Sequence, residues 1–314
     1  MRYNLDFFEI ELDSEREDNL FRIDGDDYFL EPLYPGAKTG KGGNSCVFLA
    51  VPSDNTLPQR VVKFCRFSNN PLDSNFEKRI KRFKHEIRAL NSAKHSVSRG
   101  RVIEIQLAGE RKLDYFSRAN GEGVATLLYY VMEYAESDLE RLLQENDLDL
   151  PGKIQLMREV VSCVQALHDI NFLHRDLKPD NILVVNGRLK VGDLGLIEEA
   201  DSDYSLDDTK EKLGPSGFLS PEAVNKAFGD HRRMPDSNGR TISNESDVFQ
   251  LGLILFHIMQ GEIPVGRLVD GDFVGAEPSA QWCEELFHPM LQFRKRNRPP
   301  LATVSDVLDR LAGP

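Results

Sequence analysis

The apolar residues of this chain change their spacing part-way along it, and that change restricts the folds open to it. As far as Met132 they fall mostly in short, strand-like runs. Phe8-Glu9-Ile10-Glu11-Leu12 alternates apolar and acidic residues, the period of a half-buried strand, and residues 28–33, 47–51, 61–64 and 127–132 read as further strands. One stretch in this half is helical instead: Phe76, Ile80, Phe83, Ile87 and Leu90 recur every three or four residues, which puts them on one face. From Pro151 onward the helical period dominates. Ile154, Met157, Val161, Val164 and Leu167 predict a helix with proline in its first turn. Residues 182–191 predict a hairpin turned by Asn186-Gly187, a dipeptide suited to a type I′ turn. Ser246 is expected to cap a helix that runs to Gln260, is buried on all sides and ends at Gly261. Residues 280–292 and 301–311 predict two more helices. The expectation is an α+β chain, with a small sheet-rich lobe followed by a larger, mainly helical one.

Charge is distributed just as unevenly. The chain has 39 Lys+Arg and 51 Asp+Glu, a formal net charge of −12. That balance argues against a surface for duplex DNA or anionic lipid, so no nucleic-acid partner is expected. Residues 1–31 carry eleven acids against three arginines, a net of −8, and residues 193–222 carry nine acids against two lysines, a net of −7. Residues 60–101 carry twelve Lys or Arg against three acids, a net of +9. One acidic block is therefore expected to dock on the basic helix, with a solvated charged tail as the alternative. No apolar run is long enough for a membrane span, and the acidic N-terminus is unlike a signal peptide. The four scattered cysteines include no CxxC pair, so neither disulfides nor zinc are expected. A cytoplasmic protein is the expectation.

The chemistry-bearing residues follow in a set order. Gly40-Lys41-Gly42-Gly43-Asn44-Ser45-Cys46-Val47 is a glycine-rich turn between two predicted strands, where backbone N–H groups can approach phosphate oxygens. Lys63 lies on the next strand, and Glu86 lies on the amphipathic helix beside its apolar face, where a carboxylate is costly without a cation. His174-Arg175-Asp176-Leu177-Lys178-Pro179-Asp180-Asn181 stands in a loop between a helix and a hairpin. Asp193-Leu194-Gly195, Ser220-Pro221-Glu222, Asp247 and Asn297-Arg298-Pro299 follow it. As an ordered set over residues 28–312, these motifs resemble the protein kinase family in its eukaryotic-like Ser/Thr branch.

That resemblance implies a bilobal fold. Residues 1–27 would be an acidic N-terminal extension with a possible extra strand, and residues 28–132 an N-lobe with one regulatory helix. Residues 133–314 would be the C-lobe, with the hinge at 133–138 and the activation segment at 193–222. ATP and Mg²⁺ are the implied cofactors. Gly40, Gly42, Gly43, Ser45 and Val47 would cover the nucleotide. Val61, Met132, Glu133, Ala135 and Leu183 would surround adenine, with Asp138 reaching the ribose. Asp138 equally suits the N-cap of a helix over residues 139–143. Lys63, paired with Glu86, would hold the α- and β-phosphates. Asp176 would accept the proton of the substrate hydroxyl, Lys178 would lie against the γ-phosphate, and Asn181 and Asp193 would bind Mg²⁺. Arg298 would pair with Glu222, and Asp247 would anchor the catalytic loop.

The chain departs from the family pattern at several points. Ser45 replaces a glycine, Val61 an alanine, Leu194 a phenylalanine and Pro215 a threonine whose hydroxyl Ser216 would have to supply. Residues 226–245 read as an exposed polar insertion. Lys178-Pro179-Asp180-Asn181 resembles kinases that act on Ser/Thr rather than on tyrosine. The implied activity is ATP- and Mg-dependent transfer of the γ-phosphate to Ser/Thr hydroxyls of protein substrates, with autophosphorylation. A kinase-fold scaffold or a small-molecule phosphotransferase is the alternative. Arg175 implies an activation segment ordered by an anion. Phosphorylation of Ser202, Tyr204, Ser205 or Thr209 would supply it, or else Asp207, Asp208 or Glu211. Cys46 is a candidate redox-sensitive thiol, with an inert thiol as the alternative.

Overall fold

The computed structural model describes residues 1–33, 44–68, 74–119, 121–200, 207, 214, 217–228, 239, 241–264 and 279–312. The chain forms two compact units, one of Met1–Lys94 with Ile103–Tyr134 and one of His95–Val102 with Ala135–Pro314. Among the described residues no helix is long and apolar enough to cross a membrane.

The first unit is built on β1 (Arg2–Asn4), β2 (Glu9–Glu11), β3 (Leu20–Ile23), β4 (Asp26–Pro32), β5 (Ser45–Pro52), β6 (Arg60–Cys65), β7 (Ile105–Ser117) and β8 (Gly121–Glu133). They form one sheet in the order β2-β1-β7-β8-β6-β5-β4-β3, with helix α1 (Ser74–Lys94) against it. The sheet is strongly curled. Phe21, on edge strand β3, meets the rings of Phe64 on β6 and Tyr129 on β8 at 5.9 and 5.0 Å. In a flat sheet, three or four strand spacings would hold them about 14 Å or more apart. The concave side encloses a core of Tyr3, Ile10, Phe21, Phe48, Phe64 and Val131. Strand β6 is buried on both faces, since Val62 and Phe64 join this core while Lys63 turns toward α1.

The N-terminal segment differs from the single extra strand expected of it. It supplies three whole strands, and Tyr3, Ile10, Phe21 and Ile23 are fully buried. Tyr3 stands in a strand too short to show a period, and Phe21 and Ile23 in one of only four residues, whereas Ile10 falls in the alternating run at residues 8–12. Phe8 falls outside β2 because its backbone is left-handed (φ 53°). The expected docking of the N-terminal acids on the basic helix is replaced by other partners. Asp13 takes the N-terminal ammonium, Glu31 takes Arg16, Asp27 takes Arg22, and Asp6 takes Ser117 and the Arg118 N–H. None of these partners lies on α1.

One contact ties the N-terminus to the chain that leads into α1. The buried Tyr3 hydroxyl accepts the Phe67 N–H at 2.9 Å and donates to the Phe67 carbonyl at 2.8 Å. The Phe67 ring then meets Phe76 of α1 edge-on at 5.6 Å. Tyr3→Phe strands both Phe67 groups and is expected to cost about 1–3 kcal/mol. Faster amide exchange at Leu5, whose N–H donates to Phe116, would report it.

The second unit is mainly helical. It contains β9 (Ser137–Asp138), α2 (Leu139–Glu145), α3 (Leu150–His168), β10 (Phe172–Leu173), β11 (Ile182–Val185), β12 (Arg188–Val191) and β13 (Glu198–Glu199). Helices α4 (Pro221–Phe228), α5 (Asn244–Gln260), α6 (Ser279–Trp282), α7 (His288–Met290) and α8 (Leu301–Ala312) follow. Asp149 caps α3 by accepting the Gly152 N–H at 2.9 Å, and Pro151 sits in its first turn. Asn186 and Gly187 both have positive φ (50° and 71°), which turns the β11–β12 hairpin.

Helix α5 begins earlier than expected. Ser243 is its cap, and Ser246 is the reciprocal partner three residues on, accepting the Ser243 N–H at 3.1 Å. It ends at Gly261 with φ 81°. Its buried flank includes Gly252, where a Cβ would come within 2.9 Å of Met290 on α7. The helix expected over residues 280–292 is broken into α6, a π-helical turn over Cys283–Phe287, and α7. Pro289 has no N–H to continue the ordinary ladder.

Candidate active site

In the first unit, antiparallel pairing sets Val61 opposite Met132 and Lys63 opposite Tyr130. Glu86 comes from α1, and its Oε1 lies 2.7 Å from Lys63 Nζ, with the two side chains only 8% and 2% exposed. A lysine buried this deeply needs a carboxylate, and a carboxylate buried this deeply needs a cation. Val47 is half-buried on β5 directly opposite Lys63, and Ser45 opens that strand. Gly40, Gly42 and Gly43 lie outside the described residues. Cys46 is a strand residue, fully buried, with Sγ 3.7 Å from the Phe8 carbonyl oxygen. Burial pushes its thiol up from the ordinary value, which favours the inert reading over the redox-sensitive one.

The chain passes from the first unit to the second between Tyr134 and Ala135. The Glu133 N–H donates to the Glu104 carbonyl at 3.1 Å, and its carboxylate accepts the Glu104 N–H at 2.7 Å. Asp138 acts as the cap that its type suggested: its Oδ1 accepts the Arg141 N–H at 2.9 Å and opens α2. Leu183 is its cross-strand neighbour.

In the second unit the loop His174–Asn181 is fastened from below by α5. Asp247, fully buried in the first turn of that helix, accepts the backbone N–H groups of His174 and Arg175 at 2.8 and 2.9 Å and also meets His168 Nε2 at 3.0 Å. One turn on, Gln250 accepts the Leu177 N–H at 3.1 Å and donates to the Arg175 carbonyl at 3.3 Å. Burial alone would raise the Asp247 carboxyl; the hydrogen bond and charge of His168, with His174 and the Arg175 N–H, hold it below its ordinary value. Arg175 can hold its left-handed backbone (φ 67°) because these bonds fix both sides of it.

On this platform the polar groups converge. Asn181 Nδ2 donates to the Asp176 carbonyl at 2.7 Å and to Asp176 Oδ2 at 3.1 Å, so its amide oxygen is left as the acceptor. The Gly192 N–H donates to the Asn181 carbonyl at 2.8 Å, which brings Asp193, exposed and with φ 50°, beside it. An amide oxygen and an exposed carboxylate are hard donors of the kind Mg²⁺ takes, so this pair suits that ion. His174 is completely buried; its Nε2 meets the Gly192 carbonyl at 3.0 Å and its Nδ1 accepts the Asp176 N–H at 3.2 Å, which assigns the proton to Nε2. Burial pushes the Asp176 carboxyl up, and the Asp193 charge adds to this, while His174 and Lys178 oppose it.

The family description "Protein kinase domain" matches residues 35–305. The chain belongs to that family. It is 30% identical over 229 residues to the Serine/threonine-protein kinase PrkC of Bacillus subtilis, covering 72% of this chain and 30% of that protein. It is 30% identical over 282 residues to the Probable serine/threonine-protein kinase PknB of Lactococcus lactis, covering 86% of this chain and 38% of that protein. Serine/threonine-protein kinase mph1 of Schizosaccharomyces pombe is 28% identical over 255 residues, covering 77% and 33%. The chain thus matches only about a third of the length of these relatives.

Within this kinase domain Arg175 is already matched by carboxylates. Its guanidinium reaches Glu198 at 2.5 Å and Asp207 at 2.6 and 3.3 Å, and Lys226 reaches the same Asp207 at 2.7 Å. Ser202, Tyr204, Ser205, Asp208, Thr209 and Glu211 lie outside the described residues, as do Pro215 and Ser216. Burial alone would raise the Asp207 carboxyl; the Arg175 and Lys226 charges outweigh it and hold the group well below the usual carboxylate range. Its stabilising effect is therefore full above the unfolded carboxylate value of about 3.9 and is lost as pH falls through the lower folded one. Asp207→Asn is expected to cost about 1–3 kcal/mol, seen as a lower urea midpoint of Trp282 fluorescence at pH 7.

Proposed function

We propose that the chain is a Ser/Thr protein kinase that moves the γ-phosphate of ATP to a hydroxyl of a protein substrate. The observation that carries this reading is the Asp176–Asn181–Asp193 arrangement on the loop fastened to Asp247. Asp176 orients the acceptor hydroxyl and takes its proton as the oxygen bonds to the γ-phosphorus. The bond from that phosphorus to the bridging oxygen breaks, and its electron pair leaves with ADP. Lys178 lies against the transferring group, and Lys63, held by Glu86, fixes the α- and β-phosphates. Asn181 and Asp193 would hold Mg²⁺, which neutralises charge on the phosphate oxygens when bound.

Val47, Val61, Met132 and Leu183 would supply apolar walls for adenine, and Gly40, Gly42, Gly43 and Ser45 would cover the phosphates. The Glu133 and Ala135 backbone would meet the base, and Asp138 the ribose. Residues 28–132 and 133–314 would serve as the two kinase lobes. The Ser/Thr kinases among the relatives favour this activity over a scaffold or a small-molecule phosphotransferase. The carboxylate of Asp207 beside Arg175 supports activity without prior phosphorylation of the activation segment. Four free, buried cysteines suit a reducing compartment such as the cytoplasm. Incubation with Mg-ATP and a randomised Ser/Thr peptide pool should give phosphopeptides, and phosphate on the chain itself; both should fall at least about a hundredfold in Asp176→Asn. No transfer by the wild type would overturn the reading.

A further inference from the structure

The Lys63–Glu86 pair has a third member that no motif announces. Tyr130 stands directly across from Lys63 in the β6–β8 register, so both side chains leave the sheet on the same face, toward α1. Its hydroxyl donates to Glu86 Oε1 at 3.0 Å, the same oxygen that Lys63 Nζ meets at 2.7 Å. Its ring lies 5.8 Å below the Lys63 ammonium, within reach of a cation–π contact. The ring also packs at 5.3 Å against Phe83, one turn before Glu86 on α1. Tyr130 is 1% exposed. It therefore touches the cation, the carboxylate and the helix that carries the carboxylate.

We propose that Tyr130 is the positioning residue of the nucleotide lysine, fastening α1 to β8 so that Glu86 and Lys63 stay paired. This rests on the kinase reading, which gives Lys63 the task of holding phosphates. The physical argument concerns what happens when Lys63 turns to a triphosphate. Its charge is then shared between the phosphates and Glu86, and the carboxylate loses part of its compensation in a site with little water. A hydroxyl that donates to Oε1 offsets that loss without competing for the nucleotide, since Tyr130 is neutral. An aliphatic residue at 130 would fill the space and pack on Phe83 but offer no donor. Effects of Tyr130 should therefore pass through Glu86.

Tyr130→Phe keeps the ring and removes only the hydroxyl. Transfer from Mg-ATP to the randomised Ser/Thr peptide pool is expected to show kcat/KM for ATP reduced roughly tenfold, the weight of one hydrogen bond to a charged group. KM for the peptide pool should change by less than about twofold, as expected of a residue that acts on the nucleotide lysine alone. In a Glu86→Gln background, Tyr130→Phe should cost less than about twofold, because the charge it serves is gone. Hydrogen exchange of α1 amides gives a readout that needs no activity, and it should quicken in Tyr130→Phe while exchange in α5 and α8 stays as in wild type. Equal kcat/KM and equal α1 exchange in Tyr130→Phe and wild type would overturn the proposal. So would the same fold loss from Tyr130→Phe whether Glu86 is present or replaced by Glu86→Gln. A wild type without transfer would sink the kinase reading, while α1 exchange would still decide whether Tyr130 holds the helix.

Discussion

Asp176→Asn is expected to lower phosphate transfer about 10²–10⁴-fold, the usual weight of a positioned general base, while ATP binding and the melting temperature stay near those of wild type. The substitution is nearly isosteric. Asn181 Nδ2 keeps the Asp176 carbonyl at 2.7 Å, and the His174 contact is to the backbone N–H, so the loop geometry survives. What disappears is the carboxylate that can receive a proton. The pH profile makes the assignment sharper. Burial raises the Asp176 carboxyl above its ordinary value, with Asp193 acting in the same direction. The base works only when ionised, so kcat/KM should fall as pH drops through that raised value, at a higher pH than a solvated aspartate would give. A residual rate in Asp176→Asn should lack this acid limb. An unchanged limb in the variant would assign it to another group.

Much of this site was legible because its residues lie close together in sequence. His174–Asn181 is one loop, and Asp193 follows the hairpin whose Asn186-Gly187 turn could be read directly. Glu86 was legible through the period of α1, which set a carboxylate beside apolar neighbours and so required a cation. Tyr130 was not, because its link to Lys63 depends on strand register, and no local pattern fixes how β6 slides along β8. Asp207 was one of three equivalent acids by composition; its selection depends on reaching both Arg175 and Lys226. Of the N-terminal strands, β1 and β3 escaped notice for a different reason. Arg2–Asn4 is three residues long, shorter than any period can show, whereas Glu9–Glu11 falls within the alternating run at residues 8–12; only the curled sheet gives Tyr3 and Ile10 a core to enter. Strand β7 was missed because its exposed positions carry Glu110, Lys112 and Asp114, which dilute its apolar signal.

Arg298→Ala is expected to destabilise the second unit by about 3–5 kcal/mol, the cost of leaving a buried charge without its partner. Arg298 and Glu222 are both fully buried, joined by two bonds of 2.7 and 3.0 Å. The guanidinium also donates to the carbonyls of Glu245, Gln292 and Phe293, and it stacks over the Phe249 ring at 4.8 Å. One side chain thus joins the start of α4, the first turns of α5 and the segment before α8. Burial alone would raise the Glu222 carboxyl; its hydrogen bonds and the Arg298 charge hold it below its ordinary value. In Arg298→Ala burial is opposed only by the hydrogen bonds from Ser246 and the Glu222 backbone, so the carboxyl rises above its wild-type value and the folded variant binds a proton more readily than the folded wild type. The stability gap between variant and wild type should then narrow as pH falls from 7 through the raised value. Arg298→Met with Glu222→Leu removes both charges and should recover most of the loss at pH 7. Trp282 is the chain's one tryptophan and is buried in this unit, so its fluorescence during urea unfolding reads the unit selectively. A loss below about 1 kcal/mol, the range of an exposed pair, would show that the interaction is not insulated from water.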